Sequence, residues 1–124
     1  DTIKISNNKI RLHGIDAPEK NQNCTKHKKE YNCGTVATEA LIKKISKNVV
    51  KCLTQKNKDR YNRFIGVCFV DQKDLNKWMV SNGFAIAYRR YSKDYILDEE
   101  FAKKNKLGLW SGTFLNPEKW RKLN

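Results

Sequence analysis

Lys9-Ile10-Arg11-Leu12-His13-Gly14-Ile15-Asp16-Ala17-Pro18-Glu19 is the stretch from which the rest of the chain can be read. Residues 9–15 alternate apolar and polar side chains, as a half-buried strand does, and residues 2–5 do the same. Asn7-Asn8 lies between them, a pair that tolerates the positive φ of a two-residue hairpin turn. With that turn Asp1 falls opposite Gly14, and Asp16 follows two residues on at the same edge of the sheet. Two carboxylates then converge where the hairpin opens, and Glu19 comes next, after the stiffening Pro18. Three acidic groups gathered in a chain of net charge +13 need an explanation. A hard cation such as Ca²⁺, which takes carboxylate, carbonyl and water oxygens, is one. A local turn, with Asp16 capping backbone groups beside Pro18 and Asp1 fraying, is the other.

Arg11 lies on the same strand. Arg63 opens a later one, after the polar turn Asn57-Lys58-Asp59-Arg60-Tyr61-Asn62. A guanidinium grips phosphate through two parallel hydrogen bonds and offsets growing negative charge. Acid cluster and arginines together are the inventory of phosphodiester hydrolysis. His13 and His27 have no companion motif for histidine-based chemistry. Tyr88-Arg89-Arg90-Tyr91 interleaves aromatic and basic side chains, which stack on bases and touch phosphates, or equally form a tyrosine-packed edge strand.

Composition narrows the partners. Lys and Arg number 26 against 13 Asp and Glu, an excess that concentrates polyanions around the molecule. The 124 residues fit one domain spanning 1–124, without repeats or a linker, and only two prolines occur. The sequence opens at Asp1 in what already reads as a strand, so residues upstream are expected. No apolar run approaches the roughly 18 residues of a membrane span. Residues 35–47 carry Val36, Ala37, Ala40, Leu41 and Ile45 at helical spacing. Asp74 caps a short helix with Leu75, Trp78 and Met79 that Gly83 ends, and a third helix covers residues 95–106. Residues 49–55, 64–70 and 84–88 read as strands, residues 20–29 as an exposed basic loop, and the tail as packing back onto the body. The pattern predicts a small α+β domain, mainly β, and suits a five-stranded OB-like barrel with three α-helices.

Four cysteines without a Cys-x-x-Cys knuckle point away from structural zinc. A hairpin turn centred on Arg60 sets Cys52 opposite Cys68, within reach of a disulfide. Cys24 and Cys33 then close a short loop beside the acidic site, and such bonds imply folding outside a reducing compartment. Four buried free thiols are the alternative.

The sequence resembles the staphylococcal-nuclease-like (thermonuclease) family. The likeness runs from Asp1-Thr2 through the Arg11 to Glu19 core, Cys33-Gly34, Asp59-Arg60-Tyr61-Asn62-Arg63 and Asp74-Leu75-Asn76. It continues through Met79-Val80-Ser81-Asn82-Gly83-Phe84-Ala85, Glu99 with Ala102, and Leu107-Gly108-Leu109-Trp110. The paired cysteines and the Tyr-Arg-Arg-Tyr segment resemble an exported bacterial branch, secreted or periplasmic. The resemblance implies an OB-fold barrel with one catalytic Ca²⁺, held by Asp1, Asp16 and the carbonyl of Ala17. It implies Glu19 as the group that activates water, Arg11 and Arg63 as the phosphate grip, and Arg60 with either Tyr88 or Tyr91 as nucleic-acid contacts. Implied substrates are DNA and RNA, single-stranded or locally open, cut without sequence preference to 3′-phosphate ends by a monomer. Ala17 stands where a threonine is found in the best-known member, and Asn62 where glycine is usual. A silent OB-fold nucleic-acid-binding module is the rival reading, and a basic protein acting on anionic membranes a third.

Overall fold

The computed structural model describes residues 1–124. The chain begins with β1 (Thr2–Ile5) and β2 (Asn8–Leu12), then β3 (Ile15–Asp16), β4 (Cys24–Lys26), β5 (Lys29–Tyr31) and α1 (Cys33–Ile45). It continues with β6 (Val50–Thr54), β7 (Phe64–Val70), β8 (Lys73–Asp74), α2 (Leu75–Ser81), β9 (Ile86–Ala87) and α3 (Ile96–Lys104). A 3-10 turn (Gly108–Ser111) and α4 (Pro117–Leu123) complete it.

The main sheet runs β1-β2-β7-β6, with β8 also paired to β7, and β2 and β7 are parallel. This path is open, so the closed five-stranded barrel expected from the sequence is not made by these ladders. The strand expected over residues 9–15 breaks at His13-Gly14, so the expected strands are divided between separate sheets. Gly14 holds φ +74°, and a Cβ there would press on the Tyr95 ring. The chain turns, and β3 leaves the main sheet to pair with β9. The first hairpin also differs from expectation. Ile5 pairs with Asn8, so its turn is Ser6-Asn7 rather than Asn7-Asn8, with Ser6 taking the positive φ of 55°. Asp1 therefore faces Leu12, whose amide donates to its carbonyl at 2.8 Å, and not Gly14.

The β6–β7 hairpin has the expected register. Cys52 faces Cys68, and the two are bonded with Cα atoms 4.0 Å apart. Residues 20–29, read from the sequence as a loop, contain β4 and the start of β5. Their hairpin turns at His27 and Lys28, both at positive φ. Cys24 is bonded to Cys33, which ties this hairpin to the start of α1. No helix is long and apolar enough to cross a membrane.

There are four α-helices, not three. Asn32 caps α1 by accepting from the Thr35 amide, and Asp74 caps α2 by accepting from Lys77. The fourth, α4, starts as the sequence allows: Asn116 caps it, Pro117 sits at its first turn, and Arg121 and Lys122 close it. Leu12, Ile15, Leu75, Met79 and Val80 form the centre of the core, between the main sheet and α2.

Candidate active site

The site grows from the short strand β3. Pairing with β9 buries Asp16, whose side chain is 1% exposed. Burial pushes its carboxyl above the usual range, against the hydrogen bonds of Arg121 and the charges of Arg121 and Arg11. Arg121 Nη1 and Nη2 donate to Asp16 Oδ1 and Oδ2 at 2.9 and 3.0 Å, a bidentate pair. The same Nη1 donates to Glu19 Oε1 at 2.8 Å, and Nη2 lies 3.4 Å from the Tyr88 hydroxyl. Nothing in the sequence reading singled out Arg121. It stands 105 residues from Asp16, on α4, a helix beyond the three expected from the sequence.

Asp1 does converge on this point, despite the altered register. Its Oδ2 accepts from the Ala17 amide at 3.2 Å and lies 3.6 Å from Arg11 Nη2, which is 3.8 Å from Asp16. Arg11 is fixed by its own turn, donating from Nη1 to the Leu12 carbonyl and from Nη2 to Ile15, each at 2.8 Å. Burial depresses its pKa, Asp16 opposes that, and the nearby charges of Arg63 and Arg121 add to it. Arg63 is aimed by Asp59, which accepts its Nε at 3.0 Å, and by Thr2, whose hydroxyl accepts its Nη1 at 3.1 Å. Arg63 has no bond to the Asp16 cluster.

Tyr88 reaches the cluster from the end of β9. Its hydroxyl donates to Glu118 Oε2 at 2.7 Å, and burial followed by Glu118 pushes its pKa up to about 12. Tyr91 meets the Tyr88 ring edge-on, with centroids 4.9 Å apart, and is itself exposed. Arg60 lies over the exposed Tyr61 ring, between β6 and β7. His13 pairs with Asp94 and takes no part in the cluster.

Gln22, fully buried in the supposed loop, was also missed. Its Oε1 accepts from the Glu19 amide at 3.2 Å, and its Nε2 donates to the Leu115 carbonyl at 2.7 Å. One side chain thus ties Glu19 to the segment that leads into α4.

The profile described as "Staphylococcal nuclease homologue" matches residues 9–112. The chain belongs to that family. A protein named "Succinoglycan biosynthesis protein ExoI" from Rhizobium meliloti (strain 1021) is 34% identical over 113 residues, covering 89% of this chain and 59% of its own length. An "Uncharacterized endonuclease" of Haemophilus influenzae is 36% identical over 117 residues, 92% of this chain and 60% of that protein. A "Micrococcal nuclease" of Shigella flexneri is 33% identical over 141 aligned positions, 98% and 75% of the two chains. The chain spans about three-fifths of the length of the first two relatives.

Within this nuclease-homologue domain, the chemistry of the donors fits a hard cation. Asp1, Asp16 and the Ala17 carbonyl offer only oxygen, the ligand set that calcium prefers. No group of three or more His, Cys, Asp or Glu side chains is gathered for a metal ion, and the expected set needs only two carboxylates. Both oxygens of one of them, Asp16, are engaged by Arg121.

Proposed function

We propose that this domain is a calcium-dependent endonuclease that hydrolyses DNA and RNA without sequence preference, leaving 3′-phosphate ends. One observation carries the reading: a buried aspartate, a partly exposed glutamate and two guanidiniums meet at one end of β3 in a molecule of net charge +13. The family match and the relatives named as nucleases support it. Asp1, Asp16 and the Ala17 carbonyl would hold Ca²⁺, which supplies positive charge to a phosphate oxygen and acidity to water.

Glu19 is the proton acceptor. Its side chain is 38% exposed, and only Oε1 is bonded, so Oε2 can take or steer a proton from the attacking water. Arg11 and Arg63 hold the phosphate. Arg63 keeps Nη2 free of protein partners, while Nε and Nη1 fix its orientation. Such preset donors are worth on the order of 2.7–4 kcal/mol where negative charge develops. Tyr88, Tyr91 and Arg60 flank the strand of substrate, stacking or touching phosphate. Stacking on base faces and contact with phosphate read no base edges, which accounts for the lack of sequence preference. Single-stranded or locally open substrate suits stacking on the tyrosines, and the domain acts as a monomer. The fold is read as OB-type on the strength of the family match, with ladders that do not close into a barrel. Two disulfides support an exported location, secreted or periplasmic.

The test is incubation of end-labelled DNA and RNA oligonucleotides with the protein in Ca²⁺ or in EGTA. Internal cuts in Ca²⁺ alone, with ends that prime extension only after phosphatase treatment, are expected. Intact oligonucleotides in Ca²⁺ would refute the proposal.

A further inference from the structure

We propose that Arg121 is a resident counter-cation of the acidic site, which a metal ion must displace, so that α4 is a strap coupled to metal binding. The inference rests on the calcium reading above and deepens it.

The Arg121 guanidinium engages both oxygens of Asp16 and one of Glu19. Calcium gathers 6–8 oxygens at about 2.3–2.6 Å. Each Asp16 oxygen already accepts from the guanidinium, at 2.9 and 3.0 Å, so a calcium ion on the same carboxylate would sit beside that cation, and the two like charges repel. The repulsion favours departure of the less firmly held guanidinium.

Arg11 is not the one that leaves. It is anchored to the Leu12 and Ile15 carbonyls and stands off the two aspartates at 3.6 and 3.8 Å. Arg121 differs in each respect. It has no backbone carbonyl as partner, its side chain is 34% exposed, and it lies in the last turn of a seven-residue helix whose end is exposed. Its remaining contact is the Tyr88 hydroxyl at 3.4 Å. Withdrawing Arg121 frees Asp16 and Glu19 together, the first for a metal ion and the second for its proton.

An internal competitor that is closed about 90–99% of the time weakens the apparent affinity of its rival on the order of 10–100-fold. Calcium chloride titrated calorimetrically into wild type, Arg121→Ala and Arg121→Gln therefore separates the possibilities. Both variants are expected to bind calcium at least about tenfold more tightly. Calcium is also expected to raise their melting temperatures more than that of wild type at equal concentration. In wild type, calcium is expected to speed amide exchange in residues 117–123. Circular dichroism confirms folding, and the glutamine variant keeps a hydrogen-bonding side chain should the alanine one be unstable. Equal or weaker calcium affinity in folded variants overturns the inference and leaves the nuclease reading standing. Calcium binding by none of the three proteins overturns both the inference and the calcium reading.

Discussion

The carbonyl of Glu19 lies against Gly34, the second residue of α1, so closely that a Cβ at that position would overlap it. The loop is sewn into place around this contact. The Gln22 amide donates to the Glu19 carbonyl at 2.8 Å, and the Gly34 amide donates to the Gln22 carbonyl at 3.2 Å. The Cys24–Cys33 bond closes the other side. The position of the acceptor carboxylate is therefore set by the first turn of a helix rather than by its own exposed loop.

Gly34→Ala separates position from composition. Alanine favours the helix by at most about 1 kcal/mol, while the added methyl would overlap the Glu19 carbonyl oxygen and force that backbone aside, at a cost of about 3 kcal/mol or more. The expected protein is clearly less stable and, at a temperature where it is folded, cuts at least about tenfold more slowly, since small misplacements of reacting groups are costly. A folded variant with the wild-type rate would show that Glu19 is not positioned through Gly34.

Arg63→Ala removes a preset donor from the phosphate grip without touching the core. Turnover is expected to fall on the order of 10²–10³-fold, with stability to urea lowered by no more than about 1 kcal/mol through the lost bonds to Asp59 and Thr2. Steady-state rates on a single-stranded oligonucleotide check it. Near-wild-type turnover would take Arg63 out of the mechanism.

Asp59 holds Arg63, and its titration has a definite sign. Burial acts against the shift, but hydrogen bonds from the Arg63 amide and side chain prevail and hold its carboxyl below the usual 3.8. A depressed carboxyl contributes stability above that value and loses it as pH falls through the folded-state value. Asp59→Asn is expected to destabilise by about 1 kcal/mol at pH 7, and the gap should close as pH falls past 3.8 and through the lower folded-state value. Urea unfolding of both proteins at each pH measures it. Asp16, raised by burial, runs the other way: its contribution is greatest below 3.8 and fades as pH rises through the folded value.

Much of the site could be read in advance because it is local. Arg11, Asp16, Ala17 and Glu19 lie within nine residues, and Cys52 opposite Cys68 follows from one hairpin centre. The first hairpin was misread by one residue because Ser6, not Asn8, accepts the left-handed backbone. Arg121 was invisible for another reason. Periodicity reports on neighbours along a helix or strand, and no such pattern records that a tail arginine folds back 105 residues to Asp16. Gln22 looked like loop polarity, because a single buried amide within a basic stretch leaves no signal. The caps of α4, by contrast, were present as Asn116-Pro117-Glu118 and went unread.

The most direct test of the central claim compares wild type with Glu19→Ala in Ca²⁺, following both cleavage and binding of one labelled single-stranded DNA. A nuclease that uses Glu19 gives calcium-dependent cutting in wild type and a large loss of cutting in the variant, with binding retained. Equal cutting by both proteins, or tight binding without cutting by either, would contradict it.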